Sequence, residues 1–504
     1  RCLKTIANAP WHSKDFDGAV PQEVEAIPDT PEILEKPIAF YDIECFPNLF
    51  LICYKLQTPN NDGQKVFMLN PKPEEVDKFI RQYRLIGYNN RKYDNHMIRA
   101  AAMGASLEEL YQRSQTIISH DKSSSDGLIR DAYNLSYTDI YDFASSQNKM
   151  SLKKLEIKMG IHHMELGLPW DKPVPDDMIP KVIEYCGYDV DATEAAFYFL
   201  KADWIAREIL AELAGGSVNE TTNNLTKKII FGSEWKPQAQ FKWREIDKPV
   251  CTLAPDMEAF LKEACPQMMS HLHGEENSLL PYFPEYHMTR EKDGIHNWYK
   301  DRDVGKGGEV YAEPGIYFAV ALLDIVSMHP HSTIAECLFG VKFTTAFRNL
   351  VEGRVDIKHE DWEEISRRMN GKLDKFVARV KAGELSSKDL ANGLKTAINA
   401  VYGQTSAKYE NAFRDPKNVN NIVALRGALF MNRLREAVQA RGFTVAHIKT
   451  DSIKIPNATP EIIKFCMDMA QDYGYTFEHE ATYERMCLVN DAVYIARYAE
   501  EDWC

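Results

Sequence analysis

At 504 residues the chain is long enough for two or three hydrophobic cores, and 44% hydrophobic with 27% charged residues is the composition of a soluble enzyme. It holds no run of 18 apolar residues and opens without the charged-then-apolar layout of a signal peptide, so neither a membrane span nor secretion is expected. A net charge of −14 argues against a bulk nucleic-acid coat protein, but not against an enzyme whose basic residues line one groove.

Residues 1–36, rich in proline and without periodicity, read as an extended arm. From Ile38 the texture changes: IAFYDIE reads as a strand running into an acidic pair, and LFLICYKL as a second strand. SLKKLEIKMG at 151–160 is helical, as is the run from Met178 to Ala214, which ends at Gly215-Gly216. Alternating strands and helices predict one α/β domain over 37–215. Residues 217–310 are irregular. GKGGEVYAEPG at 305–315 reads as a glycine-rich turn opening a second strand-bearing unit, and IYFAVALLDIV at 316–326 as a long buried strand. Two helices are expected over 359–381 and 386–402, the second opening on a capping box of Ser386 and Asp389. FTVAHIKTDSIKIPN at 443–457 predicts a hairpin with Lys449-Thr450-Asp451 at its tip, followed by a helix over 461–473 and strands near 476–498. The ten cysteines form no CxxC pair and read as reduced thiols of a cytoplasmic protein.

Two sets of acidic residues carry the chemistry. Asp42 and Glu44, two apart on a strand, face the same way. With Asp94 in GYNNRKYD and Asp189 in YCGYDVD they form four carboxylates on separate elements, a set suited to two divalent cations about 4 Å apart and to phosphodiester hydrolysis. Tyr185, one helical turn before Asp189, shares its face and is placed to orient a water. In the second half, Asp324 ends a buried strand, an expensive place for a carboxylate unless a metal or partner awaits it, and Asp451 lies at a hairpin tip. Lys395, Asn399 and Tyr402 share one face of the second helix, while Arg368, Lys372, Lys375 and Arg379 make a basic stripe on the first. Two such helices turned toward the carboxylates would cradle a triphosphate.

The segments YDIEC, NNRKYD and YCGYDVD resemble, in order, the three exonuclease motifs of proofreading polymerases. SLKKL, with Ser151 and Leu152, resembles the single-strand-binding motif between the second and third. DIVSMHPHS, KTAINAVYG and HIKTDS resemble the three polymerase motifs of family B DNA polymerases of the small phage type, and GKGG their linker motif with Gly305 in place of Tyr. The resemblance covers roughly residues 38–498. It implies an α+β multidomain fold: a ribonuclease-H-like exonuclease over 37–215, linker and first palm segment over 216–350, fingers over 351–405, and second palm segment over 406–504, with the thumb missing. It implies a template-directed DNA polymerase with 3′→5′ proofreading in phage DNA replication, acting in the host cytoplasm. Its partners would be primer–template DNA, dNTPs and replisome proteins, and its cofactors two Mg²⁺ or Mn²⁺ per active site. By the same resemblance Asp42, Glu44, Asp94, Asp189, Asp324 and Asp451 bind metal, Lys395 contacts the triphosphate, and Asn399 and Tyr402 line the base-pair pocket. Arg368 and Lys372 are expected at the phosphates, and Asn90, Tyr93, Ser151, Leu152, Lys449 and Tyr494 at the DNA. A monomer is expected.

The sequence departs from the family at Lys449, which replaces the first Asp of D-T-D, and at His329, which replaces the tyrosine that screens the sugar. Ala492 replaces the lysine of K-x-Y, leaving Tyr494. Short spans from Asp324 to Lys395 and on to Asp451 leave little room for the insertions of protein-primed polymerases, so a nucleic-acid primer is expected. Two other readings stand beside this one: a 3′→5′ exonuclease with an impaired polymerase half, and a non-catalytic nucleic-acid-binding replication protein.

Overall fold

The computed structural model describes residues 30–499 apart from 120–123, 144–148, 163, 242–253, 272–282, 284, 293, 305–306 and 415–420. The arm expected over 1–36 lies outside the described residues as far as Asp29. Its last part is not extended but forms the short helix α1 (Pro31–Glu35), capped by the Thr30 hydroxyl. No described helix is long and apolar enough to cross a membrane. The fold is mixed α+β, and the chain divides into two units, residues 1–225 with 375–393 and residues 226–374 with 394–504.

The first unit is built on a five-stranded sheet in the order β3-β2-β1-β4-β5, with β1 Ile38–Phe46, β2 Leu49–Leu56, β3 Lys65–Leu69, β4 Arg84–Gly87 and β5 Thr138–Asp139. β1 pairs antiparallel with β2 and parallel with β4. Helices α2 (Pro73–Gln82), α3 (Asp94–Ala102) and α4 (Leu107–Ile118) pack with Ala39, Tyr41 and Ile43 in one core. Helices α5 (Leu152–Met159), α6 (Ile179–Phe199) and α7 (Lys201–Ala214) supply the other, with Phe40 and Phe46. The strand's two-residue alternation explains the split, since odd residues of β1 enter one core and even residues the other. Asp42 and Glu44 fall on the even side, facing α6.

The second unit begins near α8 (Thr222–Phe231), α9 (Pro255–Ala264) and α10 (Pro266–His271). A small sheet follows, of β6 (Tyr286–Glu291), β7 (Gly294–Tyr299) and β8 (Arg302–Asp303). The main sheet has six strands in the order β14-β13-β10-β12-β11-β9, with β9 Glu309–Ala312, β10 Gly315–Ile325, β11 His447–Thr450, β12 Ser452–Pro456, β13 Phe477–Leu488 and β14 Tyr494–Tyr498. The strand expected to be buried over 316–326 is buried only from Val320 onward; Ile316 and Phe318 are exposed. The remaining helices are α11 (Met328–Ala335), α12 (Gly340–Lys358), α13 (Trp362–Arg368), α14 (Asp374–Lys381), α15 (Ser387–Thr405), α16 (Ile422–Ala440) and α17 (Pro460–Asp472).

The single helix expected over 359–381 is two. Asn370 and Gly371 adopt left-handed backbone (φ 52° and 72°), which ends α13 before the chain restarts as α14. The basic stripe drawn along one continuous face is thereby divided. Arg368 and Lys372 belong to the second unit, Lys375 and Arg379 to the first.

Glycine at 308 has a packing reason. A Cβ there would stand 2.4 Å from Thr450 Oγ1 and 2.7 Å from its Cα, so the β9 entry lies directly against the hairpin tip. Gly308→Ala is expected to destabilise the second unit by roughly 1–3 kcal/mol, read as a lower urea midpoint.

Candidate functional site

In the first unit, Asp42 and Glu44 project from β1, Asp94 opens α3, and Tyr185 and Asp189 lie one turn apart on α6. Asp94 is 7% exposed and accepts a hydrogen bond from the Ile43 backbone, which holds the start of α3 beside β1. Asp189 and its neighbours are close enough to act on Asp42, Glu44 and Asp94. Asp42 is pushed well up, first by burial and then by Asp94, Asp189 and Glu44. Burial, Asp189 and Asp94 push Glu44 to about 8. Asp94 is raised to about 7, mainly by burial, with Asp139 and Asp189 adding to it and backbone hydrogen bonds opposing. The Tyr185 hydroxyl is hydrogen-bonded to Asp189 and is driven upward by burial and that carboxylate.

Three residues here escaped the sequence reading. Cys186 brings its sulfur within 4.8 Å of ligand atoms of Asp42 and Glu44. Burial raises its thiol well above the usual value, so it stays protonated and donates to Asp42, whose carbonyl oxygen is 3.7 Å away and Oδ2 3.9 Å. What remains for a cation is an all-oxygen carboxylate set, which fits Mg²⁺ or Mn²⁺ and not a thiolate-preferring metal. Asp139, 2% exposed, accepts from the backbone N–H groups of Asn89 (2.7 Å), Arg91 (3.1 Å) and Tyr141 (2.9 Å), fixing the turn that leads into Asp94. Lys153 stands over the Tyr185 ring at 5.5 Å and is the one cation among the groups acting on Glu44. Its position between Ser151 and Leu155 in SLKKL was the only available signal.

The residues expected at DNA in this unit have structural partners. Ser151 caps α5 by accepting from Lys154 N–H at 3.4 Å, and Leu152 packs against the core. Asn90 is 1% exposed and donates weakly to the Thr138 carbonyl. Tyr93 is half-buried with its hydroxyl 2.7 Å from Ser114 Oγ, an inward setting for a residue expected at the DNA.

In the second unit, Asp324 lies one residue before the end of β10 and Asp451 in the turn between β11 and β12. Two contacts join them: Asp324 pairs with Ser452 across the strands, and the Ile325 N–H donates to the Asp451 carbonyl at 2.9 Å. Thr450 takes left-handed backbone (φ 58°) to make so tight a reversal. Burial, Asp451 and Glu480 raise Asp324 to about 7; burial and Glu480 raise Asp451. Glu480 is thus a third carboxylate of the group, brought there by a bulge in β13 between the pairs Leu322–Ala481 and Leu323–His479.

Lysines answer these acids. Lys449, exposed, pairs with Ser452 at the hairpin tip. Lys454 is 3% exposed and is lowered to about 8, chiefly by burial, with Asp324, Glu480 and Asp451 opposing the fall. It was not singled out in the sequence. Its Nζ lies 3.2 Å from His447 Nδ1 and 4.9 Å from the Tyr494 ring, so a lysine from β12 stands over the tyrosine two residues beyond Ala492.

His329, on α11, and Tyr402, on α15, meet with ring centroids 3.9 Å apart. Lys395 and Asn399 lie one turn apart on the exposed side of α15. Arg368, expected at the phosphates, is engaged by acids of its own neighbourhood: its guanidinium is held by Glu352 (2.5 Å), Asp356 (2.7 Å) and Glu364 (2.9 Å). Lys372 follows Gly371 in the break between α13 and α14, out of helical phase with Arg368. Lys375 pairs with Glu212, and Arg379 with Glu208 at 3.5 Å.

No protein-family model and no curated protein matches the chain. Among solved structures it is similar to the family B DNA polymerase from the hyperthermophilic archaeon Pyrobaculum calidifontis, at 13% identity and a TM-score of 0.45, over 93% of this chain and 59% of that one. The chain therefore spans less than two thirds of that protein's length.

Proposed function

We propose that the chain is a template-directed DNA polymerase with 3′→5′ proofreading exonuclease activity, working from a nucleic-acid primer in phage DNA replication. The observation that carries the reading is the presence of two separate carboxylate groups, Asp42–Glu44–Asp94–Asp189 and Asp324–Asp451–Glu480, each gathered from different elements, with Asp42, Glu44, Asp94, Asp324 and Asp451 raised by burial and by their acidic neighbours. Divalent cations held there would supply Lewis-acid activation of phosphodiester and triphosphate oxygens. In the first group Tyr185 and Asp189 orient the attacking water. In the second, Asp324 and Asp451 position the primer end, Lys395 meets triphosphate charge, and the His329–Tyr402 pair walls the base-pair pocket.

A second reading, an exonuclease with an impaired polymerase half, is favoured by the two lysines set against the second group. A primer–template assay in Mg²⁺ separates the two. With dNTPs, extension is expected, and it should fall on the order of 10³-fold in Asp451→Ala while degradation persists. Degradation without extension in the native chain supports the second reading, and binding without either activity refutes both.

A further inference from the structure

Lys454 occupies the middle of the sheet face that carries Asp324. Cross-strand pairing sets it beside Leu322 on β10 and His447 on β11, with Asp324, Ser452 and Lys449 forming the next row along. Its two anchors are well defined. His447 Nε2 is 3.1 Å from the Asp491 carbonyl, which can only accept, so that nitrogen carries the ring proton. Nδ1 is then the acceptor, 3.2 Å from the Lys454 ammonium. The Tyr494 face lies on another side at 4.9 Å. Held in this way and 3% exposed, the side chain lies within the sheet face and not in solvent.

The charges of the group then decide its behaviour. Asp324 has Asp451, Glu480 and Glu478 acting on it with one sign of charge and Lys454 with the other, and Asp451 has Glu480 and the same lysine. In the first unit the cation acting on Glu44 is Lys153, whose ammonium stands over the Tyr185 ring. We propose that Lys454 is a built-in counter-ion of the Asp324–Asp451–Glu480 group, stabilising it when empty and weakening its hold on a divalent cation. This rests on reading that group as the cation site of the polymerase half.

The test is Mn²⁺ binding without DNA or nucleotide, followed by calorimetry and by the electron paramagnetic resonance of free Mn²⁺. An Asp42→Ala, Glu44→Ala background silences the first unit. Lys454→Met is expected to tighten binding at the remaining site by on the order of tenfold, since it removes a like charge from beside the ion. Lys454→Arg, which keeps the charge, should stay within about twofold of the parent. Lys454→Gln, which leaves a donor for His447, provides the neutral side chain in folded form if the methionine variant does not fold. Binding that is unchanged or weaker in a folded neutral variant overturns the inference while the cation-site reading survives. No Mn²⁺ binding in parent or variants overturns both.

Discussion

Asp42→Asn is expected to make the metal-free protein more stable while lowering degradation of a primer 3′ end by on the order of 10³-fold or more. The gain arises because Asp42 is raised by burial and by three neighbouring carboxylates, so removing its charge relieves Asp94, Asp189 and Glu44 together. About 1–2 kcal/mol is the scale of such relief. The pH dependence has a definite sign. Glu44 titrates at about 8 and Asp94 at about 7 in the folded chain, against 4.5 and 3.8 unperturbed. Folded carboxyl groups therefore bind protons more tightly than unfolded ones, and their contribution, complete at pH 4, is lost as the pH rises toward 8. Melting curves in EDTA at pH 5, 6.5 and 8 should show the native chain falling in Tm across this range and Asp42→Asn falling less. Added Mg²⁺ should restore more of the native Tm at pH 8 than at pH 5. Equal pH slopes for the two proteins would show that the carboxylates are not coupled.

Arg426→Met carries the largest expected loss of stability. Arg426 and Glu336 form an ion pair at 2.8 Å with side chains 0% and 1% exposed, and the guanidinium also lies over the Tyr475 ring at 5.0 Å. Burial would depress the arginine, but Tyr475 and Glu336 together hold it above its ordinary value. Truncating one partner leaves the Glu336 carboxylate charged in the core, a cost of about 3–5 kcal/mol. For a unit of this size that corresponds to a Tm lower by roughly 6–20 °C in the second transition. A companion Glu336→Leu change on the same chain should recover much of the loss, because a pair replaced by apolar groups no longer leaves a lone charge. A double variant as unstable as Arg426→Met alone would contradict this account.

Features of the chain that depend on near neighbours were readable from the sequence. Two-residue alternation places Asp42 and Glu44 together on β1, four-residue spacing brings Tyr185 to Asp189, and Lys449-Thr450-Asp451 makes the hairpin tip. Features that depend on strand register were not. Lys454 and Glu480 reach Asp324 only through the pairing of β12 and β13 with β10, and Cys186 reaches Asp42 across α6 and β1. The basic stripe failed for a local reason. Asn370-Gly371 is a turn-forming dipeptide that the helical count ran through, and with the turn made, Arg368 meets Glu352 and Asp356.

The bulge in β13 reverses the parity of the strand. Before it, Glu478 lies opposite Asp324; after it, Ala481 lies opposite Leu322 and Tyr483 opposite Val320. Even-numbered side chains therefore face the acidic group on one side of the bulge and odd-numbered ones enter the core on the other. An insertion or deletion of one residue between Glu478 and Ala481 exchanges these roles, turning Tyr483 out of its core and bringing Glu484 in. Length at this point in the strand is as tightly constrained as the identity of any carboxylate.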